Sequence, residues 1–431
     1  MPSTPTVDNP GNPDRGDPAR GDDNSFLAWS ATLGRATGVG SWPGTDVVDS
    51  MRLTLGELPD PHLPYLPELP ARGPGADMIG RGASLLVDLP VDLQPSGWRL
   101  VHRPGRDLQR ARSWLRQDLD VLAEVAEGYA GPLKVQVTGP WTLAAAVYLP
   151  RLERAVVDAG DCRDLVASLA EGVAQHLADV RRAVPGAELV LQLDEPSLPA
   201  VLSGELTTAS GFGRLRAVEE PVVVDGVSTV FEAASAAGAR TTVVHCCAAT
   251  PPVAVLARTG AGALLFDLAG LDAPGWESVA VAVEAGTALW AGAVPSSGSV
   301  PRPDAVAQAI WRPWRSLGLE TKYLPGVVLA PACGLAGNTP ARARQALRAA
   351  RDGAAELALR RARDRDRGDS GGLRGHDVHD DARRVHRLAA RNVESDARDG
   401  LPTLAHLRPR TELRDLRGRD LGRGRLAHAT D

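Results

Sequence analysis

The chain has 431 residues, 43% of them hydrophobic, and 48 Lys and Arg against 53 Asp and Glu give a formal net charge of -5. That length supplies a large core, while the weakly acidic balance excludes a general polyanion-binding surface, so nucleic acid is not an expected partner. Four Cys are too few and too clustered for a disulfide framework, and no apolar run reaches the ~18 residues of a membrane span.

Residues 1–29 carry Pro, Gly and charge with almost nothing apolar, and they lack the apolar centre of a signal peptide. They read as a flexible, disordered arm. Structure begins near Ala36, where short apolar or β-branched runs start to alternate with helical patterns, the mark of βα units around a parallel sheet. The candidate strands are 38–41, 64–66, 133–138, 189–194, 241–246, 263–267, 288–293 and 327–330. Between the second and third, 83–89 and 97–102 read as a hairpin and 107–127 as a helix. Ala273-Pro274 opens one later helix, and Thr339-Pro340 opens the last, which runs on through Leu347 and Leu357. Strands and helices in this order predict a (β/α)8 TIM barrel over 30–360, with an open doubly wound sheet as the alternative. Distinctive polar residues at nearly every strand end favour the barrel, whose carboxyl face collects chemistry. From Arg361 the composition changes to Arg and Asp with no aromatic residue, so 361–431 is expected to be a disordered tail, and His376, His379 and His386 read as solvated.

The chemistry gathers at Thr241-Thr242-Val243-Val244-His245-Cys246-Cys247. His245 and Cys247 are two apart, so extended chain turns both side chains to one face and Cys246 to the other. Asp267 ends the strand 263–267, and Cys333 follows the last strand. Two sulfurs, one nitrogen and one oxygen from strand ends on one side of a barrel make a plausible tetrahedral zinc set. Zinc on thiolates holds an incoming thiol as thiolate near neutral pH, so a sulfur nucleophile is the chemistry such a site serves. Cys246 and Cys162 read as core or partly exposed thiols.

Five stretches then resemble, in order over about 36–336, the motifs of the catalytic domain of cobalamin-independent methionine synthase. They are Gly38-Val39-Gly40-Ser41-Trp42-Pro43, Val137-Thr138-Gly139-Pro140-Trp141-Thr142, Gln192-Leu193-Asp194-Glu195-Pro196, His245-Cys246-Cys247 and Pro331-Ala332-Cys333-Gly334-Leu335. The resemblance implies a (β/α)8 barrel that binds Zn2+ through His245, Cys247, Asp267 and Cys333 and holds homocysteine at Val39, Ser41 and Asp194. It implies methyl transfer to the homocysteine thiol to form methionine, from a methyltetrahydrofolate-type donor. The expected partners are small molecules, with neither nucleic acid nor membrane, and a cytoplasmic setting keeps the thiols reduced.

Three positions depart from the family pattern. Its zinc-binding Glu is here Asp267, one methylene shorter. Its amine-binding acid falls on Gly80 of Asp77-Met78-Ile79-Gly80, and its catalytic His aligns with Ser296-Ser297. The family's additional N-terminal barrel is not expected either. The alternatives are therefore a methylated corrinoid or other small methyl carrier as donor, or a barrel that binds zinc and thiol without turnover.

Overall fold

The computed structural model describes residues 34–151 and 153–371, and side chains as far as residue 365. The arm 1–29 and the tail beyond 371 lie outside the described residues. In chain order the elements are β1 (Arg35–Ala36), α1 (Val47–Glu57), α2 (Met78–Ser84), β2 (Val91–Gln94), β3 (Gly97–Leu100), α3 (Arg106–Val125), β4 (Pro132–Thr138), α4 (Pro140–Ala146), α5 (Ala159–Ala183) and β5 (Glu188–Asp194). There follow α6 (Leu198–Ser203), α7 (Glu220–Ala236), β6 (Thr241–Cys246), α8 (Val253–Leu256), β7 (Ala263–Asp267), α9 (Ala273–Glu284), β8 (Ala288–Val294), α10 (Pro303–Ser316), β9 (Val328–Pro331) and α11 (Pro340–Gly371).

Seven strands form one parallel sheet in the order β1-β9-β8-β7-β6-β5-β4. The segment 63–68 closes it. On one side Leu63 N donates to Ala36 O (2.9 Å) and Glu68 N to Gly40 O (3.1 Å), and on the other Leu66 N donates to Lys134 O (2.9 Å). The segment is thus the eighth stave of a barrel, and the predicted (β/α)8 architecture is the observed one. Pairing on the first stave begins at Arg35 rather than at Gly38 and continues as bridges at Thr37 and Ser41.

Period-two alternation decides what each strand contributes. Val190, Val243, Leu265, Trp290 and Val328 fill the barrel interior, whereas their neighbours Leu191, Val244, Leu264 and Leu289 pack outward beneath the helices. β5 and β6 are apolar on both faces until they near their carboxyl ends, where the inward positions turn polar at Gln192, Asp194 and His245, whereas the inward positions of β4, Lys134, Gln136 and Thr138, are polar throughout.

Two local expectations need correction. The first arm of the inserted hairpin is not 83–89: Val91–Gln94 pairs with Gly97–Leu100. Residues 78–84 are instead drawn into a helix by Asp77, whose carboxylate accepts from Gly80 N at 2.9 Å as an N-cap. The helix placed at 107–127 is α3. Nor does order end at Arg361, where the disordered tail was expected to begin. The last helix crosses the compositional break and reaches Gly371, with Arg361 donating to Thr321 O (3.0 Å) and Asp364 paired with Arg315 (3.1 Å). Alternating Arg and Asp has no core to build, but it leaves a helix free to grow from the packed turns before it.

Candidate metal centre

β6 delivers His245 at its last inward position, with Cys247 one residue beyond the strand, and the turn after β9 delivers Cys333. Their ligand atoms all lie within 4.8 Å of one another. The Cys247 and Cys333 sulfurs are 3.1 Å apart, close enough to share one proton. Either sulfur can donate. Sharing that hydrogen bond pushes the Cys333 thiol down and, together with burial, pushes the Cys247 thiol up.

His245 is 2% exposed, and its Nδ1 lies 2.7 Å from Asp194 Oδ1. The same oxygen accepts from Gln192 Nε2, also at 2.7 Å. A carboxylate only accepts, so the imidazole hydrogen sits on Nδ1 and the lone pair on Nε2. Among the described residues Nε2 is buried without a hydrogen-bond partner. An orphaned imidazole nitrogen grouped with two sulfurs, its other nitrogen held by a carboxylate, is the arrangement of a metal-ligating histidine with its supporting shell. One nitrogen and two sulfurs suit zinc, and three protein ligands leave a position for substrate. Cys246 takes no part: it is fully buried on the outward face, where burial pushes its thiol up to about 12.

Asp267, the fourth ligand that the resemblance implies, stands outside the group of three. Its Oδ1 accepts from Ala269 N at 3.0 Å and caps the short turn Leu268–Gly270. The side chain lines a cavity of about 360 Å3 together with Trp276, Gly292, Ser296, Ser297 and Ala332.

The resemblance's other positions meet the centre from the first stave. The Val39 carbonyl accepts from Lys134 Nζ (2.8 Å) and Gln192 Nε2 (2.9 Å). Lys134 is fully buried, which pushes it down to about 7. Ser41 latches the turn after Cys333, its carbonyl accepting from Leu335 N (3.0 Å) and its Oγ from Ala336 N (3.4 Å). A Cβ on Gly334 would fall 2.1 Å from that Oγ, so the glycine permits the close approach. The two remaining motifs interlock. Glu195, fully buried, accepts from Trp141 N (2.9 Å), Thr142 N (2.8 Å) and Thr142 Oγ (2.7 Å), lying where a side chain on Gly139 would be. Both departures are built into the packing. A Cβ on Gly80 would meet Trp98 at 2.6 Å, which leaves no room for an acid, and Ser296 and Ser297 sit on a loop held by Asn338 and Arg342.

Sequence reasoning missed Asp118, a fully buried carboxylate of α3 that pairs with Arg72 (2.7 Å) and Arg81. Its signal was the spacing Leu108, Ala111, Leu115, Asp118, Leu122, which puts an acid in the apolar stripe. Arg81 also approaches the buried Glu68 at 3.5 Å, on the stave that closes the barrel.

The family profile of the cobalamin-independent synthase catalytic domain matches residues 34–356. The chain belongs to this family. Every motif stretch described above falls within that match, and membership makes the chain an enzyme of the homocysteine methyltransferase kind. Among solved structures it is similar to a B12-independent methionine synthase from Shewanella sp. W3-18-1 in complex with selenomethionine, at 12% identity and a TM-score of 0.49, covering 76% of this chain and 99% of that one. A 2,3-dimethylmalate lyase of the PEP mutase/isocitrate lyase superfamily follows at 14% identity and a TM-score of 0.34, covering 88% and 97%. Both likenesses are remote, and the assignment to the cobalamin-independent synthase family stands on the sequence match. No curated protein matches the chain. Among the described residues no helix is long and apolar enough to cross a membrane.

Proposed function

We propose that the chain binds zinc through His245, Cys247 and Cys333 and transfers a methyl group from a methyltetrahydrofolate-type donor to the thiol of homocysteine. The observation that carries this reading is the buried, unpartnered His245 Nε2 grouped with two thiols inside a family match. A bound ion would lower the pKa of an incoming thiol and keep it nucleophilic at neutral pH. The remaining roles fall to the chain itself. Asp194 sets the His245 tautomer, and Gln192 holds the Asp194 carboxylate in place. Val39, Ser41 and the second oxygen of Asp194 form the substrate side of the mouth, with the Val39 carbonyl held from beneath by Lys134 and Gln192. The homocysteine sulfur forms its new bond to the methyl carbon as the carbon's bond to the donor nitrogen breaks, and the thiol proton leaves while the donor nitrogen takes one up. Four free thiols fit a reducing, cytoplasmic setting.

Purified protein should carry zinc and form methionine from homocysteine and methyltetrahydrofolate. Zinc binding without methionine from any of a folate, corrinoid or other small methyl donor would favour the zinc- and thiol-binding barrel without turnover. Failure to bind zinc removes both readings.

A further inference from the structure

We infer that the cavity between α3 and α5 is a binding site for a small organic acid, a carboxylate carried on a short apolar chain. The inference goes beyond the methyl transfer reading and does not depend on it. The cavity has a volume of about 390 Å3, and none of its lining residues belongs to a strand, to the metal centre or to the substrate side of the mouth. Its walls are pinned. Residues 84–88, where α2 ends, are tied to α5 by Ser168, whose Oγ donates to Val87 O (2.7 Å), and to α3 by Arg112, whose Nε and Nη2 donate to Ser84 O (3.2 Å) and Leu86 O (3.4 Å). A Cβ on Gly172 of α5 would fall 2.0 Å from Leu85 O, so the glycine permits segment and helix to meet this closely.

The lining points to an anion. His176 of α5 lines the cavity and is only 3% exposed, yet its Nδ1 is buried without a hydrogen-bond partner among the described residues. Burial pushes this imidazole down to about 3, so it stays neutral and offers one N–H and one lone pair. Arg116, one helical turn beyond Arg112 on the same face of α3, makes no ion pair or hydrogen bond among the described residues, and Arg112 keeps its Nη1 free. Two acids share the cavity without cancelling these cations: Asp179 is paired with Arg182, and Asp88 is exposed, where solvent and salt screen it. Leu115 and Leu119 add an apolar wall. A carboxylate has one oxygen for a guanidinium and another for the imidazole N–H, and an apolar chain behind it covers the leucines, which a bare inorganic anion would leave wet.

The test uses the full chain and three probes: 4-methylpentanoate, its neutral amide 4-methylpentanamide, and inorganic phosphate. Each is titrated by calorimetry into the parent, Arg116→Gln and Arg116→Lys, changes at an exposed side chain that leave the fold intact. The expected result is saturable binding of 4-methylpentanoate at one site, with the amide and phosphate weaker by about tenfold or more. Arg116→Gln should lose about three- to tenfold of the affinity for the acid, since solvent screens part of the charge, and Arg116→Lys should recover some of it. His176→Gln should weaken the acid as well, and its unfolding midpoint beside that of the parent separates a lost contact from a lost fold. No saturable binding of 4-methylpentanoate up to about 10 mM would overturn the inference, as would equal binding of acid and amide or an unchanged affinity in Arg116→Gln. Phosphate bound as tightly as the acid would leave the leucines no part in recognition and overturn the ligand class. Binding that disappears in His245→Ala would put the acid at the metal centre and overturn the site.

Discussion

Replacing Asp194 by Asn tests how the centre is held, because it keeps the shape and removes the charge at the oxygen that faces His245. In the parent the 2.7 Å contact joins two side chains only 9% and 3% exposed, so solvent does little to screen it. An amide can face the imidazole in two ways. With its oxygen toward Nδ1 the tautomer survives, but a charge-assisted hydrogen bond becomes a neutral one, which loses roughly 1 kcal/mol. With its NH2 toward Nδ1 the imidazole must accept there, and the hydrogen moves to Nε2, the nitrogen that should bind metal. The unpartnered Gln192 Oε1 does not decide between them, since its own amide can turn. Zinc affinity should therefore fall about 10- to 100-fold, the range for loss of a carboxylate behind a ligating histidine, or roughly 1.4 to 2.7 kcal/mol. Competition against a chromophoric chelator reads this directly, with His245→Ala as the reference for loss of the ligand itself. Equal zinc affinity in parent and Asp194→Asn, with homocysteine binding alone reduced, would refute the orienting role and leave Asp194 as a substrate contact only.

Cys247→Ser and Cys333→Ser should each greatly reduce bound zinc by metal analysis, while Cys246→Ser should not, because its sulfur lies on the outward face of β6. Asp118→Ala leaves Arg72 buried without its carboxylate and Arg81 with only Glu68 at 3.5 Å, and should cost about 3 to 5 kcal/mol in denaturant unfolding; a loss under ~1 kcal/mol would mean that water reaches the pair. Lys134 has a folded pKa of about 7 against 10.5 for the free side chain, because burial disfavours the charged form. Between those values the unfolded chain binds the additional proton, so stability should rise with pH by up to about 1.4 kcal/mol per unit relative to Lys134→Met, and parallel stability curves from pH 7 to 10 would contradict it.

The barrel and the nearness of His245 to Cys247 were legible because both follow from period two, while Cys333 was placed by its position after the last strand. Alternating apolar residues with polar ends locate the strands, and a separation of two puts His245 and Cys247 on one face while sending Cys246 into the wall. Local competition was harder to read. The run 84–87 is as apolar as a strand, yet Asp77 seven residues earlier caps a helix through Ser84, and the hairpin moves to Val91–Leu100. Composition alone also misplaced the end of α11, since a helix already packed over 343–357 can extend through Arg and Asp at small cost.

The acids of the mouth show where a sequence runs short of information. Asp194 and Asp267 each end a strand at an inward position, and from parity alone they are equivalent. Neighbouring groups divide them. Asp194 meets an imidazole across a rung of the sheet, Asp194 opposite His245, and is drawn into holding it. Asp267 has Gly292 opposite, which offers no side chain, and its carboxylate accepts instead from the backbone at Ala269 N. A glutamate there has one more methylene with which to reach across toward the thiols.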